Sequence, residues 1–318
     1  MRSMAATLKT ENAQVQSRRI FSGLVFLAAI AVAVVASAQP AAKPKTKADA
    51  KLKPRPVTLK TKDGINLRAF YFPSAKGKEA ITVMVVHEWE GSASPYYKLA
   101  MELRGAGCAV LVPDYRGHGG STEYVAAGKT QSFNVPQMGK FDIQNIILRD
   151  LETAKGFLKD ENDEENLNLN AMVVIGIREG CVMAAHWAAR DWSFPSIGSK
   201  KQGQDVKALV LISPEKQIKS ISLDQGLNSP AIMQLPIMVV AGKESPEAGE
   251  ANRIIKRVEG LKKRAGGGTV SKFEGKMVGT ALSGPSLVND VSEVIPAIVK
   301  FLTTEVDAVT DNPWIKRD

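Results

Sequence analysis

Cysteine and histidine are scarce in this chain: two of the first and three of the second in 318 residues. Two thiols, Cys108 and Cys181, are too few for a disulfide framework and read as small buried hydrophobes. Three scattered histidines, His87, His118 and His186, form no HExxH and no Cys/His cluster, so no metal is expected. P-loop and dinucleotide fingerprints are absent too, and no cofactor is expected. Nor does one sign of charge dominate the bulk of the chain. The formal net charge is +9, but residues 1–59 hold ten Lys/Arg against two Asp/Glu. The remaining 32 basic and 31 acidic residues nearly cancel, which gives nucleic-acid binding no support.

The basic N-terminus has its own pattern. Arg18-Arg19 precede an uncharged apolar run over residues 20–35, and Ala36-Ser37-Ala38 follow before Gln39. That order reads as an export signal over residues 1–38, cut after Ala38. Ser17-Arg18-Arg19-Ile20-Phe21 is similar to a twin-arginine motif. A second reading stays open, an uncleaved anchor over residues 20–38, because that length approaches a bilayer span. Either reading places the main domain outside the cytoplasm, periplasmic or extracellular. A Lys/Pro/Ala-rich tether occupies residues 39–56.

From residue 57 onward strand-like and helix-like segments alternate. Strands at 57–61 and 65–72 flank Lys62-Asp63-Gly64, a hairpin signal. Further strands are read at 80–87, 108–113, 171–176, 206–213, 235–241 and 270–273. Helices are read at 96–105, 142–159, 179–190, 247–261 and 291–302. Residues 117–140 read as irregular. The pattern specifies an α/β fold with a mostly parallel sheet flanked by helices, an antiparallel N-terminal hairpin and no lid domain. The domain is read as 57–304, with 305–318 as a C-terminal tail.

Gly176-Ile177-Arg178-Glu179-Gly180 has the frame of a nucleophile elbow, with arginine where a serine or cysteine would stand. Three more landmarks follow other strands: Val85-Val86-His87-Glu88-Trp89-Glu90-Gly91, Pro113-Asp114-Tyr115-Arg116-Gly117-His118-Gly119 and Val239-Val240-Ala241-Gly242-Lys243-Glu244-Ser245. In that order they resemble the α/β-hydrolase superfamily, and within it the dienelactone-hydrolase-like branch. The resemblance implies a nucleophile, an acid and a histidine at Arg178, Ser245 and Val278, so the triad is expected to be empty. It also implies an oxyanion hole from the backbone N–H groups of Trp89 and Glu179, and a pocket containing Glu88, His87, Arg178 and Glu244.

A guanidinium cannot attack a carbonyl. The expectation is therefore a non-catalytic hydrolase-fold protein with a retained pocket for a small carboxylate or ester-like ligand. The alternative is an ester or lactone hydrolase with a rewired site, for which Cys181 and Ser283 are the nearby nucleophiles. Three placements of Arg178 stand side by side: pairing with Glu88, Glu179 or Glu244; binding an anion with the helix N-terminus; or pointing to solvent.

Overall fold

Apolar runs decide where the sheet lies. In the computed structural model, which describes residues 51–198, 200–265 and 272–317, eight strands form one sheet. They are β1 (Arg55–Lys60), β2 (Asn66–Phe72), β3 (Ile81–Val86), β4 (Ala109–Pro113), β5 (Asn168–Ile177), β6 (Val206–Ile212), β7 (Ile237–Gly242) and β8 (Phe273–Val278). Their spatial order is β1-β2-β4-β3-β5-β6-β7-β8. Only β2 runs against its neighbours, and every pairing from β4 to β8 is parallel. β3, β4, β5 and β7 are buried at every residue, as strands covered on both faces must be.

The covering helices are α1 (Tyr97–Gly105), α2 (Lys140–Asn145), α3 (Leu151–Asp163), α4 (Gly180–Ser193), α5 (Ala248–Ala265), α6 (Gly284–Asp290) and α7 (Val294–Glu305). Alternate strand residues feed two cores. Val83, Val85, Val173, Ile175, Val210 and Val240 pack with α1, α6 and α7. Met84, Val86, Val174, Leu209 and Val239 pack with α3, α4 and α5. Each fully buried Val, Leu or Ile contributes about 1.5–3 kcal/mol, so this double-sided burial fixes the architecture.

Several boundaries differ from the sequence reading. The last strand is Phe273–Val278, not 270–273; Val270 and Ser271 fall outside the described residues. β8 sits at the sheet edge and reads Phe-Glu-Gly-Lys-Met-Val, so only its last residue is buried and hydropathy barely marks it. The helix read at 142–159 is longer, and a π turn at Ile146–Asp150 separates α2 from α3. That turn sets Asp150 against Arg116, whose Nη2 lies 2.6 Å from it. Residues 117–140 are not wholly irregular: strands Glu123–Ala126 and Lys129–Ser132 form a hairpin. Between β6 and β7 lie only a second small hairpin (Gln217–Ile218 with Ile221–Ser222) and two five-residue helices.

The C-terminal stretch is stitched to the domain by asparagine side chains. Asn168 Nδ2 donates to the carbonyls of Ala308 and Asn312, and Asn170 Nδ2 donates to that of Pro313. Trp314 Nε1 donates to Asn162, and Arg317 reaches the fully buried Asp205. The apolar run at residues 20–38 and the tether up to residue 50 lie outside the described residues. Among those described, no helix is long and apolar enough to cross a membrane.

Candidate functional site

β5 ends at Ile177, and the chain turns at once into α4. The turn demands glycine on both sides. A Cβ on Gly176 would lie 2.6 Å from Cys181 Cα, and one on Gly180 would lie 2.3 Å from the Val86 carbonyl oxygen. Between them Arg178 holds φ +50°, a left-handed conformation that costs a non-glycine residue about 1–2 kcal/mol. The backbone is therefore that of a nucleophile elbow, and the side chain it presents is a guanidinium.

That guanidinium is held most closely by two acids the sequence reading did not name. Arg178 Nη2 donates to Glu215 Oε1 at 2.9 Å, and Nη1 lies 2.8 Å from Glu247 Oε1. Nη1 also donates to Ser283 Oγ at 3.3 Å, and Nε lies 3.9 Å from Glu179 Oε2. Neither Glu247 oxygen has an aligned hydrogen bond, so its link to Arg178 is electrostatic. Glu247 is 1% exposed at its side chain, whereas Arg178 and Glu215 are about one-third exposed (33% and 32%). The Glu215 carboxyl is pushed up by burial and by Glu179, against the pull of Arg178.

Of the partners expected, Glu179 stands at the edge of ion-pair range, and Glu88 and Glu244 make no ion pair with Arg178 among the described residues. Glu88 accepts a hydrogen bond from the Tyr96 hydroxyl, and burial raises its carboxyl above the usual range. Glu244 is exposed, because the loop after β7 turns Glu247 inward instead. Ser245 is buried with no partner for its hydroxyl. Val278 is not in a loop: it is the last residue of β8, paired with Gly242. The residue from the following loop that reaches the elbow is Ser283, with Gly284 beside it donating to Ser213 Oγ at 3.0 Å.

The implied oxyanion-hole amide is engaged as well. Trp89 N donates to Glu179 Oε2 at 3.3 Å, so a carboxylate of the chain takes up the amide that the resemblance assigns to an oxyanion hole.

The histidines stand apart from any nucleophile. His87 is fully buried and stacks on Tyr115 with ring centres 4.2 Å apart. Its Nδ1 donates to the Glu88 carbonyl at 2.8 Å, and its Nε2 lies 3.7 Å from Asp114 Oδ1. His118 Nδ1 donates to the Arg116 carbonyl at 3.0 Å. Burial lowers both rings to about 4. His186 Nε2 donates to the Ser222 carbonyl. Among the described residues none of these rings hydrogen-bonds a hydroxyl or thiol. Cys181 is fully buried, its Sγ 3.1 Å from the Gly176 carbonyl, and burial holds its thiol well above the ordinary range. Among the described residues no group of three or more His, Cys, Asp or Glu is placed to hold a metal ion.

Sequence reasoning overlooked an available signal. Ser213-Pro214-Glu215 and Ser245-Pro246-Glu247 are the same tripeptide, one after β6 and one after β7. In a parallel sheet the loops beyond the carboxyl ends of neighbouring strands converge, so both glutamates fall beside the residue that ends β5.

Strand order, a single reversed strand near one edge and a left-handed elbow between β5 and α4 define an α/β-hydrolase. A family model described as serine aminopeptidase, S33, matches residues 77–256, more than half of the chain, and the chain belongs to that family. Among solved structures it is similar to an esterase of Pyrococcus furiosus, with TM-score 0.55 and 16% identity over 82% of this chain and 94% of that one. A thermostable carboxyl esterase of Bacillus coagulans, solved with glycerol, gives 0.57 and 13% over 79% and 98%. At such identities the likeness is one of fold. An uncharacterized protein of Mycobacterium tuberculosis is 40% identical over 67 residues, so this chain spans about a quarter (24%) of that relative.

Proposed function

We propose that this chain is an α/β-hydrolase-fold protein without serine-hydrolase chemistry, its elbow converted into an ion-pair hub. One observation carries the reading: the side chain on the left-handed turn is Arg178, held by Glu215 and Glu247. Two further facts support it. A carboxylate occupies the Trp89 amide, and no imidazole lies within hydrogen-bond reach of Ser283 or Cys181 among the described residues. The hub ties together the loops that follow β5, β6, β7 and β8.

Acids outnumber the cation at this place, since Glu179, Glu215 and Glu247 surround one arginine. That balance argues against capture of a carboxylate ligand at the elbow and for a closed structural contact. Glu88, held by Tyr96 next to the elbow, is what supports the finer placement in the dienelactone-hydrolase-like branch. Export, by a signal over residues 1–38 or an anchor over 20–38, is part of the same proposal. Mass spectrometry of the mature N-terminus tests it: cleavage after Ala38 supports the signal, an intact residue 20–38 segment the anchor.

The test of the activity reading is a chromogenic short-chain ester assay beside labelling with a fluorophosphonate. The expected result is no turnover above buffer and no adduct. Turnover that disappears in Ser283→Ala or Cys181→Ala would overturn the reading in favour of a rewired ester or lactone hydrolase.

A further inference from the structure

Near the far end of α4, roughly 18 Å along the helix from the elbow at 1.5 Å per residue, a second arginine has no acid within ion-pair distance among the described residues. Arg190 makes no side-chain hydrogen bond and no ion pair with any described residue. Its guanidinium carbon lies 4.9 Å from the centre of the Phe194 ring, and its Nε is buried without a partner. The C-terminal dipole of α4 favours a cation there but supplies no acceptor aimed at the guanidinium fork. A partly buried arginine whose donors meet no oxygen of the described residues, and whose Nε is sealed from solvent, favours an anion at its fork.

A cavity of about 360 Å³ meets that demand. It lies between α2 and its π turn, α4 and the Ile221–Ser222 strand, and no aspartate or glutamate lines it. Arg190 and Lys140 give it positive charge, and Gln144 adds a neutral donor. Its apolar wall is Ile147, Leu148 and Ile221; Leu148 is left 44% exposed there, against its apolar character. A neighbouring cavity of about 440 Å³ shares Leu148 and Arg190, but there Glu152 and Asp160 stand among Lys60, Lys62 and Arg149, so only the first cavity offers cations with no competing carboxylate in its lining.

We propose that this cavity binds a small amphiphile with one carboxylate head, the head on the Arg190 fork with Lys140 beside it and a short alkyl chain along Leu148, Ile147 and Ile221. A planar guanidinium takes a carboxylate in two parallel hydrogen bonds, and the volume lies at the low end of small-molecule sites. This site is independent of the elbow, and esterase turnover, present or absent, leaves its test unchanged.

Sodium octanoate and 1-octanol titrated calorimetrically into the full chain decide the matter. Octanoate should bind saturably at one site, while octanol, equal in chain length but uncharged, should bind at least about tenfold more weakly. Arg190→Gln should weaken octanoate by about tenfold or more, and Lys140→Gln, which removes a point charge at the rim, by a few-fold. Leu148→Glu, at an exposed position, is the variant that keeps the test decisive if Arg190→Gln does not fold; it too should abolish octanoate binding. Absence of saturable heat, equal affinity for octanol, or undiminished octanoate binding in either Arg190→Gln or Leu148→Glu would overturn the proposal.

Discussion

Arg178 combines a left-handed backbone with contacts to three glutamates and a serine, so removing it should expose how those groups depend on one another. Arg178→Ala leaves Glu247 buried without its cation and Glu215 facing it. Discounted for the one-third exposure of the arginine, the expected loss is about 2 kcal/mol, read by urea unfolding. Adding Glu247→Gln should recover part of that loss; a strictly additive double variant would show that the two do not interact. His87 gives a pH prediction with a definite sign. Its folded value of about 4 lies below its ordinary 6.5 because burial disfavours the imidazolium. The unfolded chain therefore binds protons first as pH falls. Stability is full above about pH 6.5, declines toward pH 4 and levels off below, by up to about 3 kcal/mol. His87→Gln should flatten this slope, and the difference from wild type isolates it from Glu88 and Asp114. Those two carboxyls, raised by burial, change stability in the opposite direction over a neighbouring range. The thiols make a third case: Cys181 is fully buried and Cys108 is pushed up to about 12 by burial, so iodoacetamide should label neither until the chain unfolds.

Elements were legible wherever burial on both faces produced a continuous apolar run. β3, β4, β5 and β7 could be read to within a few residues, and the elbow was visible because two glycines at fixed spacing are forced by contacts with Cys181 and the Val86 carbonyl. β8 was misplaced because an edge strand exposes most of its residues, and Val278 followed it into the wrong context. Glu215 and Glu247 were missed as partners of Arg178 for a different reason. Pairing depends on which side of a loop faces inward, and hydropathy does not distinguish exposed Glu244 from buried Glu247. The small hairpin after β6 turns through Lys219 and Ser220, at φ 43° and 65°, with no glycine in the turn. Ser220→Gly should relieve that strain and stabilise the chain by about 0.5–1 kcal/mol, measured as a rise in urea midpoint with an unchanged slope.

Taken as a whole, the described molecule depends on polar stitching at the end of the sheet opposite the elbow. Asn162, Asn168 and Asn170 hold the C-terminal stretch, and Arg317 joins Lys155 and Lys201 around Asp205. Nothing in residues 305–318 suggests this from hydropathy, since side-chain amides on α3 and β5 do the holding. Removing residues 307–318 should therefore cost about 3 kcal/mol or more in thermal or urea unfolding, rather than trimming a free end.

The hub around Arg178 also constrains which side chains the elbow position can accept. A first step toward a hydroxyl nucleophile, Arg178→Ser, would strip from a cluster of carboxylates the one cation paired with them among the described residues and leave Glu247 sealed inside with its charge uncompensated. Such a variant would carry the stability penalty before it had an imidazole to give it any catalytic benefit. On the reading proposed above the arrangement acts as a ratchet: each glutamate turned toward the guanidinium adds to the stability lost when the arginine is exchanged for a nucleophile.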